Sequence, residues 1–368
     1  MSQESDSEPR SFAEGEARVS SAFTEGEGRV ASPFASFRAT DSTRSGALIA
    51  GRYSVRGFLT SGAHARVYLA EDLTTQSPVA LKILLPETAA VPEFRVRLLR
   101  EAEAMQAISH PNVATVIEAG ETEEGVPFLA MEALLGESLG EYLRREPAIP
   151  FDTALILLRQ AAAGLGAAHQ AGVVHRDVKP DNFLLLGPPG EPYGLKVIDF
   201  GLAKLEHVHE SSANVLGTAE YMSPEQILVE DVDARSDIYS LGVVMFRVFS
   251  GHLPFESVGQ ADLLRHQLFS AVPPPSWLNE SLDPRVDHVV QLATRKHREN
   301  RYATMAELSA DLETLLGMNS RVLGPRPLSV APDSYVPTSE TGREAEAFLA
   351  TKFGEHASRP GHSRPRQS

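Results

Sequence analysis

The stretch that decides the fold is His175-Arg-Asp-Val-Lys-Pro-Asp-Asn182, which places a carboxylate, a lysine and an amide close together. The tripeptide Asp199-Phe-Gly201 follows, directly after the mostly apolar run Leu195-Lys-Val-Ile198. A carboxylate and an amide oxygen, each beside a short apolar strand, suit Mg²⁺, which usually takes only one or two ligands from protein. Phosphate and water fill its other positions, so the two motifs indicate a site for a magnesium-bound phosphate compound.

A second interpretation of these residues is that they cap turns. Asp177, Asp181 and Asn182 are of the types that often do so. The motifs occur together, in order and at workable spacing, and this favours the phosphate site. On these motifs, the chain resembles the eukaryotic-type protein kinase family, in its bacterial serine/threonine branch, over roughly residues 50–318.

This resemblance implies an α+β, bilobal protein kinase fold, with an ATP cleft between a small strand-rich N-lobe that has one helix and a larger helical C-lobe. The expected kinase domain covers residues 49–318, divided into an N-lobe (49–131), a hinge (132–135) and a C-lobe (136–318). Residues 1–48 are acidic and rich in Ser and Gly, and residues 319–368 are rich in Pro, Arg and Ser. Both terminal segments are predicted to be disordered, because such compositions cannot offset the entropy of ordering.

Composition excludes several classes of protein. The net charge of −15 argues against a nucleic-acid-binding surface, which needs a basic face. The chain has no cysteine, which excludes disulfides and thiolate zinc sites. No leader peptide and no apolar run of membrane-spanning length is visible, so the sequence predicts a cytoplasmic protein without membrane contact.

An 11-residue repeat lies in the N-terminal segment, as Phe12-Ala-Glu-Gly-Glu-Ala-Arg18 and then Phe23-Thr-Glu-Gly-Glu-Gly-Arg29. A duplicated low-complexity stretch is one interpretation of it. A pair of docking or phosphorylation segments is the other, since Ser20 and Ser32 follow arginines.

Hydrophobic patterns predict the main elements of both lobes. Strands are expected at 67–70, 79–84, 113–117 and 128–131, with helices at 92–108, 151–170, 238–249, 261–270, 283–294 and 305–316. A short helical stretch is also expected at Arg343 to Phe353. Asp283 suits an N-cap and Pro284 the first helical position.

The resemblance assigns catalytic and metal-binding roles to charged residues. Asp177 would accept the proton of the substrate hydroxyl, and Lys179 would neutralise charge on the transferred phosphoryl group. Asn182 and Asp199 would hold the metal. Lys82, at the end of Val79-Ala-Leu-Lys82, would bind the ATP phosphates, and Glu101 would fix Lys82 in place.

The nucleotide pocket implied by the resemblance draws on both lobes. Val67 and Ala80 would cover adenine from above, Leu184 would support it from below, and Leu59 would complete the roof. Met131 would be the gatekeeper, and backbone groups of Glu132 and Leu134 would bind the adenine edge. In the phosphate-covering loop, Thr60-Ser-Gly-Ala-His-Ala65 keeps only the middle glycine, Gly62, of the family's Gly-x-Gly-x-x-Gly pattern. This narrows the conformational range of the loop and leaves open how well it holds ATP.

The segment from Asp199 to Glu225 resembles an activation segment. Thr218 and Lys179 together resemble the pattern of kinases that act on serine and threonine. Ser211 and Ser212 are candidate phosphorylation sites, with a merely polar loop as the other interpretation. Glu225 is expected to pair with Arg301, and Asp237 to hold the catalytic loop.

Two functions follow as hypotheses. The first is a serine/threonine protein kinase that transfers the γ-phosphoryl group of ATP to protein hydroxyls, with Mg²⁺ or, alternatively, Mn²⁺, and with autophosphorylation in signalling. The second is a pseudokinase scaffold that binds partners without efficient transfer, and the altered phosphate-covering loop is its support. The sequence predicts protein substrates carrying Ser or Thr, but neither their identity nor the oligomeric state.

Overall fold

The computed structural model describes residues 46–62, 64–146, 148–187, 194–200, 219–256 and 259–318, apart from the side chains at 93, 94, 97, 101 and 318. The repeat, the C-terminal tail with its expected helix, and most of the expected activation segment lie outside these residues. The described N-lobe begins at Gly46, whose backbone N–H donates to Val55 O at 2.9 Å. Two residues later, Leu48 opens a strand, one residue before the expected start of the kinase domain at residue 49.

The N-lobe is built on a six-stranded antiparallel sheet in the order β1-β2-β3-β4-β6-β5. Sequential strands are neighbours except where β4 pairs with β6, which places Val79, near the start of β4, opposite Glu132 at the hinge. The strands are β1 (Leu48–Ile49), β2 (Tyr53–Ser61), β3 (Ala65–Asp72), β4 (Ser77–Leu84), β5 (Val116–Glu121) and β6 (Pro127–Glu132).

Alternating burial along β4 fixes which face of the sheet meets the cleft. Val79, Leu81 and Ile83 are buried in the core of the N-lobe. Ala80 and Lys82 alternate with them and are partly exposed on the opposite face, because successive side chains of a strand point to opposite sides. The apolar alternation therefore aims the lysine into the space between the lobes.

Strand β2 escaped prediction from the sequence because its alternation is interrupted. The pairing of β2 with β3 shifts register between Val55 and Gly57 and again between Phe58 and Thr60. Each shift inserts one extra residue, Arg56 or Leu59, as in a β-bulge, and bulges bend and twist a strand. Leu59, the extra residue of the second bulge, is partly exposed.

Two helices complete the N-lobe, α1 (Pro86–Ala89) and α2 (Pro92–Gln106). The predicted helix at 92–108 corresponds to α2, with Pro92 in its first turn as expected. The expected strand at 113–117 is displaced in the structure, where β5 runs from Val116 to Glu121. Val113 instead forms an isolated parallel bridge with Val197 of the C-lobe, so this apolar run joins the lobes.

The C-lobe is mainly helical, and the helices predicted from hydrophobic periodicity are present. The nearly all-apolar stretch at 238–249 lies in α6, which is buried along most of its length. Asp283 caps α8 by accepting from the Arg285 backbone N–H at 2.9 Å, and Pro284 takes the first position. The helices are α3 (Leu139–Arg145), α4 (Phe151–Gln170), α5 (Pro224–Ile227), α6 (Ala234–Ser250), α7 (Gln260–Phe269), α8 (Pro284–Ala293) and α9 (Met305–Met318).

A three-stranded sheet of β7 (Gly136–Ser138), β8 (Phe183–Leu186) and β9 (Gly194–Val197) lies at the cleft side of the C-lobe. Gly136 is required there by close approach, since a Cβ at this position would lie 2.0 Å from Leu185 O. Strand β8 starts directly after Asn182, and β9 ends two residues before Asp199. The sheet therefore delivers both expected metal ligands to one place.

One large apolar core fills the C-lobe and continues into the N-lobe through Ala102, Met105 and Val116. None of the helices within the described residues is long and apolar enough to cross a membrane.

Candidate active site

The loop before β8 brings three of the predicted residues into direct contact. Lys179 Nζ lies 2.7 Å from Asp177 Oδ2. The Asn182 amide nitrogen donates to Asp177 O at 2.7 Å and to Asp177 Oδ2 at 3.0 Å. Asp177 is 9% exposed, and these contacts fix the direction of its carboxylate.

Asp237, at the start of α6, holds this loop from below. Its carboxylate accepts from the backbone N–H groups of His175 and Arg176, each at 2.8 Å, and lies 2.7 Å from His169 Nε2. Asp237 is 1% exposed, so its charge is stabilised by these hydrogen bonds in place of water. Asp237 therefore anchors the backbone of this loop.

Arg176 adopts a strained backbone conformation, with φ of 65°. Left-handed conformations are costly for residues other than glycine and persist where the surroundings over-determine them. The carboxylate of Asp237 fixes the N–H of Arg176, and Gln226 Nε2 donates to Arg176 O at 2.7 Å. Hydrogen bonds therefore fix both the N–H and the carbonyl group of Arg176, the residue that precedes Asp177.

Asp199 is tied to the same loop through its neighbours in the chain. Ile198 N donates to Asn182 O at 3.0 Å, and His175 Nε2 lies 3.0 Å from Ile198 O. The rings of His175 and Phe200 are 4.6 Å apart. Asp199 itself has φ of 57°, a conformation that Asp tolerates better than most residues.

Lys82 reaches across the cleft to the second motif. Its Nζ lies 3.0 Å from Asp199 Oδ1, with side-chain exposures of 12% and 36%. This ion pair links β4 of the N-lobe to the C-lobe. Glu101 lies in α2, but its side chain is outside the described residues, so its expected pairing with Lys82 stays a prediction.

Val67 and Ala80, two of the predicted adenine-contacting residues, lie on the same face of the N-lobe sheet as Lys82. Val67 of β3 pairs with Lys82, and Ala80 lies two residues before Lys82 on β4, so all three project from one face of the sheet. Leu184 lies on β8 of the C-lobe and is also partly exposed. An apolar roof and floor of this kind suit a flat aromatic base.

Met131, the expected gatekeeper, pairs with Ala80 at the end of β6. Behind it lies a small cavity of about 30 Å³, which is bounded by apolar side chains and Asp199. Its lining residues are Ala102, Met105, Ala114, Val116, Leu129, Met131, Asp199 and Phe200.

The Glu132 side chain of the hinge makes contacts that sequence reasoning did not anticipate. Its Oε1 accepts from the Thr115 backbone N–H at 2.7 Å and from Lys196 of β9. The Glu132 backbone N–H donates to Thr115 O at 3.0 Å. Leu134 follows in the coil of the hinge and is partly exposed.

The phosphate-covering loop links β2 to β3, and its residue 63 lies outside the described residues. Gly62 N donates to Ala65 O at 2.9 Å, and the tip is tied to the end of β4 by a bond from Leu85 N to His64 O at 2.8 Å. Ala65 stands where the family pattern has its third glycine, and it is buried against Leu84 and Leu98. Ala65 therefore packs the end of the loop against β4 and α2.

The C-terminal part of the expected activation segment is firmly docked. Ser223 forms a capping box with Gln226 at the start of α5. Glu225 makes a bidentate ion pair with Arg301 at 2.7 and 2.8 Å, with side-chain exposures of 4% and 0%. Burial raises the pKa of Glu225, but the hydrogen bonds and charge of Arg301 outweigh it and leave that pKa below its usual value. Thr218, Ser211 and Ser212 lie outside the described residues.

The oxygen donors at the site fit a hard divalent cation. Asp199 offers a carboxylate that is partly exposed to the cleft. The amide nitrogen of Asn182 donates to Asp177. The amide oxygen of Asn182 therefore faces away from Asp177. Within the described residues, no group of three or more His, Cys, Asp or Glu side chains is arranged to hold a metal. The set matches Mg²⁺, which binds through one or two protein ligands plus phosphate oxygens.

Comparison with known proteins agrees with this geometry. The protein kinase domain family matches residues 53–312. The serine/threonine-protein kinase PknB of Mycobacterium leprae is 36% identical over 267 residues, which are 71% of this chain and 42% of that relative. A probable serine/threonine-protein kinase PknB of Corynebacterium glutamicum is 35% identical over 317 residues, 83% of this chain and 47% of that relative.

Solved structures show the same fold. The kinase domain of Mycobacterium tuberculosis PknI is similar with a TM-score of 0.61 and 29% identity, covering 75% of this chain and 100% of that domain. The chain spans less than half the length of the two curated relatives described above. The family match covers well over half of the chain. The chain therefore belongs to the eukaryotic-type protein kinase family, in its bacterial serine/threonine branch, and carries a kinase domain with the bilobal α+β fold.

Proposed function

We propose that this protein is a serine/threonine protein kinase that transfers the γ-phosphoryl group of ATP to hydroxyls of protein substrates. The observation that carries the proposal is the convergence of Asp177, Lys179 and Asn182 with Asp199 and Lys82 at one cleft between the lobes. Each is a charged or amide group that phosphoryl transfer uses for positioning or charge stabilisation.

Asp177 would orient the substrate hydroxyl and accept its proton. Its carboxylate is held at one oxygen by Lys179 and the Asn182 amide, which directs the group toward the cleft. Lys179 would stabilise negative charge on the transferred phosphoryl group, at the same point where it now contacts Asp177. Orientation is the main catalytic contribution, because phosphoryl transfer requires little covalent chemistry from the protein.

Nucleotide binding would rearrange the ion pair between Lys82 and Asp199. Lys82 would turn to the α- and β-phosphates, and Asp199 with Asn182 would hold the metal. Bound Mg²⁺, or alternatively Mn²⁺, would neutralise charge on the phosphate oxygens. The present 3.0 Å contact shows that both side chains already reach the same position in the cleft.

A pseudokinase scaffold is the weaker proposal. The altered phosphate-covering loop is its support, but Asp177, Asn182, Asp199 and Lys82 are all present and brought together. The retention of these four residues favours a catalytic protein over a scaffold.

Mass spectrometry tests the proposed reaction. Casein incubated with the protein and Mg-ATP should acquire phosphoserine or phosphothreonine, and an Asp177→Asn variant should leave it unmodified. Unmodified casein and an unmodified kinase chain in both reactions would contradict the proposal and favour the scaffold.

Regulation by the activation segment is a separate proposal. Phosphorylation at Ser211 or Ser212 would attract nearby cations such as Arg176 and raise activity. A Ser211→Ala/Ser212→Ala double variant that kept full activity would contradict it. Signalling and a cytoplasmic location likewise stay proposals, and the absence of cysteine suits a reducing compartment such as the cytoplasm.

A further inference from the structure

A chain of buried polar groups connects the end of α8 to the segment just before α5. Lys296 Nζ donates to Tyr239 OH and to Gln267 O, each at 2.7 Å. Tyr239 OH donates to Gln267 Oε1 at 2.5 Å, and Gln267 Nε2 donates to Glu220 O at 2.5 Å. The chain thus runs from a lysine through α6 and α7 to the backbone at Glu220.

The hydrogen bonds of this series run in one direction, because each group donates to the next one on the way from Lys296 to Glu220. The ammonium donates to the phenol oxygen, the phenol O–H to the amide oxygen, and the amide N–H to a backbone carbonyl. Burial raises the pKa of Tyr239, which keeps its phenol protonated and able to donate. Hydrogen bonds arranged in series polarise and strengthen one another in a low dielectric.

The three side chains are unusually buried for their types. Tyr239 and Gln267 are 0% exposed and Lys296 is 5% exposed. The Lys296 ammonium also lies 5.1 Å from the ring centres of Tyr239 and of Phe255. Burial of an ammonium is costly, so its full complement of contacts indicates a group that holds its neighbours in fixed positions.

The segment that contains Glu220, where the hydrogen-bond chain ends, leads on to a residue that contacts the catalytic loop. Ala219 and Met222 pack on Leu263 and Leu268 of α7, so the segment 219–222 rests on the helix that carries Gln267. A few residues further on, Gln226 donates to Arg176 O, directly before Asp177. A shift of the segment would therefore change the surface that a protein substrate meets beside Asp177.

We propose that Lys296, acting through Tyr239 and Gln267, is a positioning residue that holds segment 219–222 in the geometry needed to bind the protein substrate. The proposal rests on the kinase function proposed above. It assigns a role in substrate binding to a side chain that touches neither ATP nor the reacting atoms. The hydrogen bonds described above link these three side chains to one another and to the Glu220 backbone.

The test compares two variants that each remove one buried phenol oxygen. Tyr239→Phe interrupts the chain while keeping the ring. Tyr302→Phe is the matched control, because Tyr302 is also buried and its OH donates to Asp311 at 2.7 Å, away from segment 219–222. Lys296→Met, which keeps length and packing but removes the ammonium, provides an independent interruption.

The readouts are the KM values for casein and for ATP, with the rate of ATP hydrolysis in the absence of casein. We expect Tyr239→Phe and Lys296→Met to raise the KM for casein about tenfold, equivalent to about 1.4 kcal/mol. The KM for ATP and the casein-independent hydrolysis should stay within about twofold of wild type on the same scale. Tyr302→Phe should leave the ratio of the two KM values unchanged.

The proposal is overturned if both KM values rise together, or if Tyr302→Phe changes their ratio as much as Tyr239→Phe does. It is also overturned if neither interrupting variant changes the KM for casein. Failure of the kinase function itself gives a different result, because the wild-type protein would then transfer no phosphate to casein in the first measurement.

Discussion

At the scale of single residues, the site depends on side chains that fix one another before substrate arrives. Asp177 is directed by Lys179 and Asn182, and its loop is fixed by Asp237. Such preorganisation matters because charge stabilisation is most effective when the groups need not reorient during the reaction. The strained backbone at Arg176 persists because hydrogen bonds hold both its N–H and its carbonyl.

Ala65 shows how a departure from the family pattern is accommodated. Its methyl group is buried with Leu84 and Leu98, where a glycine would leave a gap. We expect Ala65→Gly to lower the free energy of unfolding by about 1–2 kcal/mol, from loss of a buried methyl and the greater flexibility of glycine. Urea denaturation of the two proteins measures this difference.

The matched control for that prediction is Ala50→Gly in the same lobe. Ala50 is exposed and has φ of 51°, a conformation that glycine adopts without strain. This substitution should be neutral or stabilising. A loss of stability at Ala50 equal to that at Ala65 would contradict the packing role assigned to Ala65.

At the scale of elements, the ion pair between Glu225 and Arg301 fastens α5 to the segment before α9. Both side chains are buried, so removal of one charge leaves the other without compensation. Glu225→Gln should lower the free energy of unfolding by about 3–5 kcal/mol at neutral pH. Glu313→Gln, at an exposed pair with Arg159, should cost less than about 1 kcal/mol.

The pH dependence of this pair follows from the lowered pKa of Glu225. A carboxyl whose pKa is lower in the folded than in the unfolded state stabilises the fold above the unfolded value, 4.5. That stabilisation is lost as the pH falls through the folded value. The difference in unfolding free energy between wild type and Glu225→Gln should therefore shrink on acidification below 4.5, and a constant difference would contradict the assignment.

Sequence patterns predicted the long helices well because their periodicity is set by burial. Helix α4 has the predicted bounds, Phe151–Gln170, and the Asp283 cap of α8 was readable from residue types. Helix α3 was missed, although Ser138 and Glu141 form a capping box that the sequence displays. Strand β7 has three residues, too few to show alternation.

The candidate site likewise contains residues that the sequence predicts and contacts that it does not predict. The motif residues around Asp177 and Asp199 are close in the chain and keep a fixed spacing, so the sequence placed them at one site. The contact of Glu132 with Lys196 and the chain from Lys296 to Glu220 join distant segments through tertiary packing. No local spacing signals such contacts.

At the scale of the whole molecule, the proposed nucleotide site joins two lobes that hold separate ligands for it. Lys82 belongs to the N-lobe sheet, and Asn182 and Asp199 flank the small sheet of the C-lobe. A ligand that binds only the folded protein stabilises it by mass action, about 2.7 kcal/mol at a hundred times its Kd. Mg-ATP should therefore raise the Tm, and ATP with EDTA should raise it less.

Variants distinguish the role of the metal ligand in this stabilisation. Asp199→Asn should lose most of the metal-dependent part of the rise in Tm. Asp152→Asn, in the exposed first turn of α4, is a matched control and should retain it. An equal rise in Tm for both variants would remove Asp199 from the proposed metal site.

The most direct test of the central claim is the turnover of γ-labelled ATP by the wild-type protein and by Asp177→Asn at saturating Mg-ATP, with casein as acceptor. We expect the variant to bind Mg-ATP with unchanged Kd, while its kcat for transfer to casein falls by about 10²–10⁴-fold. Equal kcat values, or a wild-type protein that binds Mg-ATP and transfers no label, would contradict it.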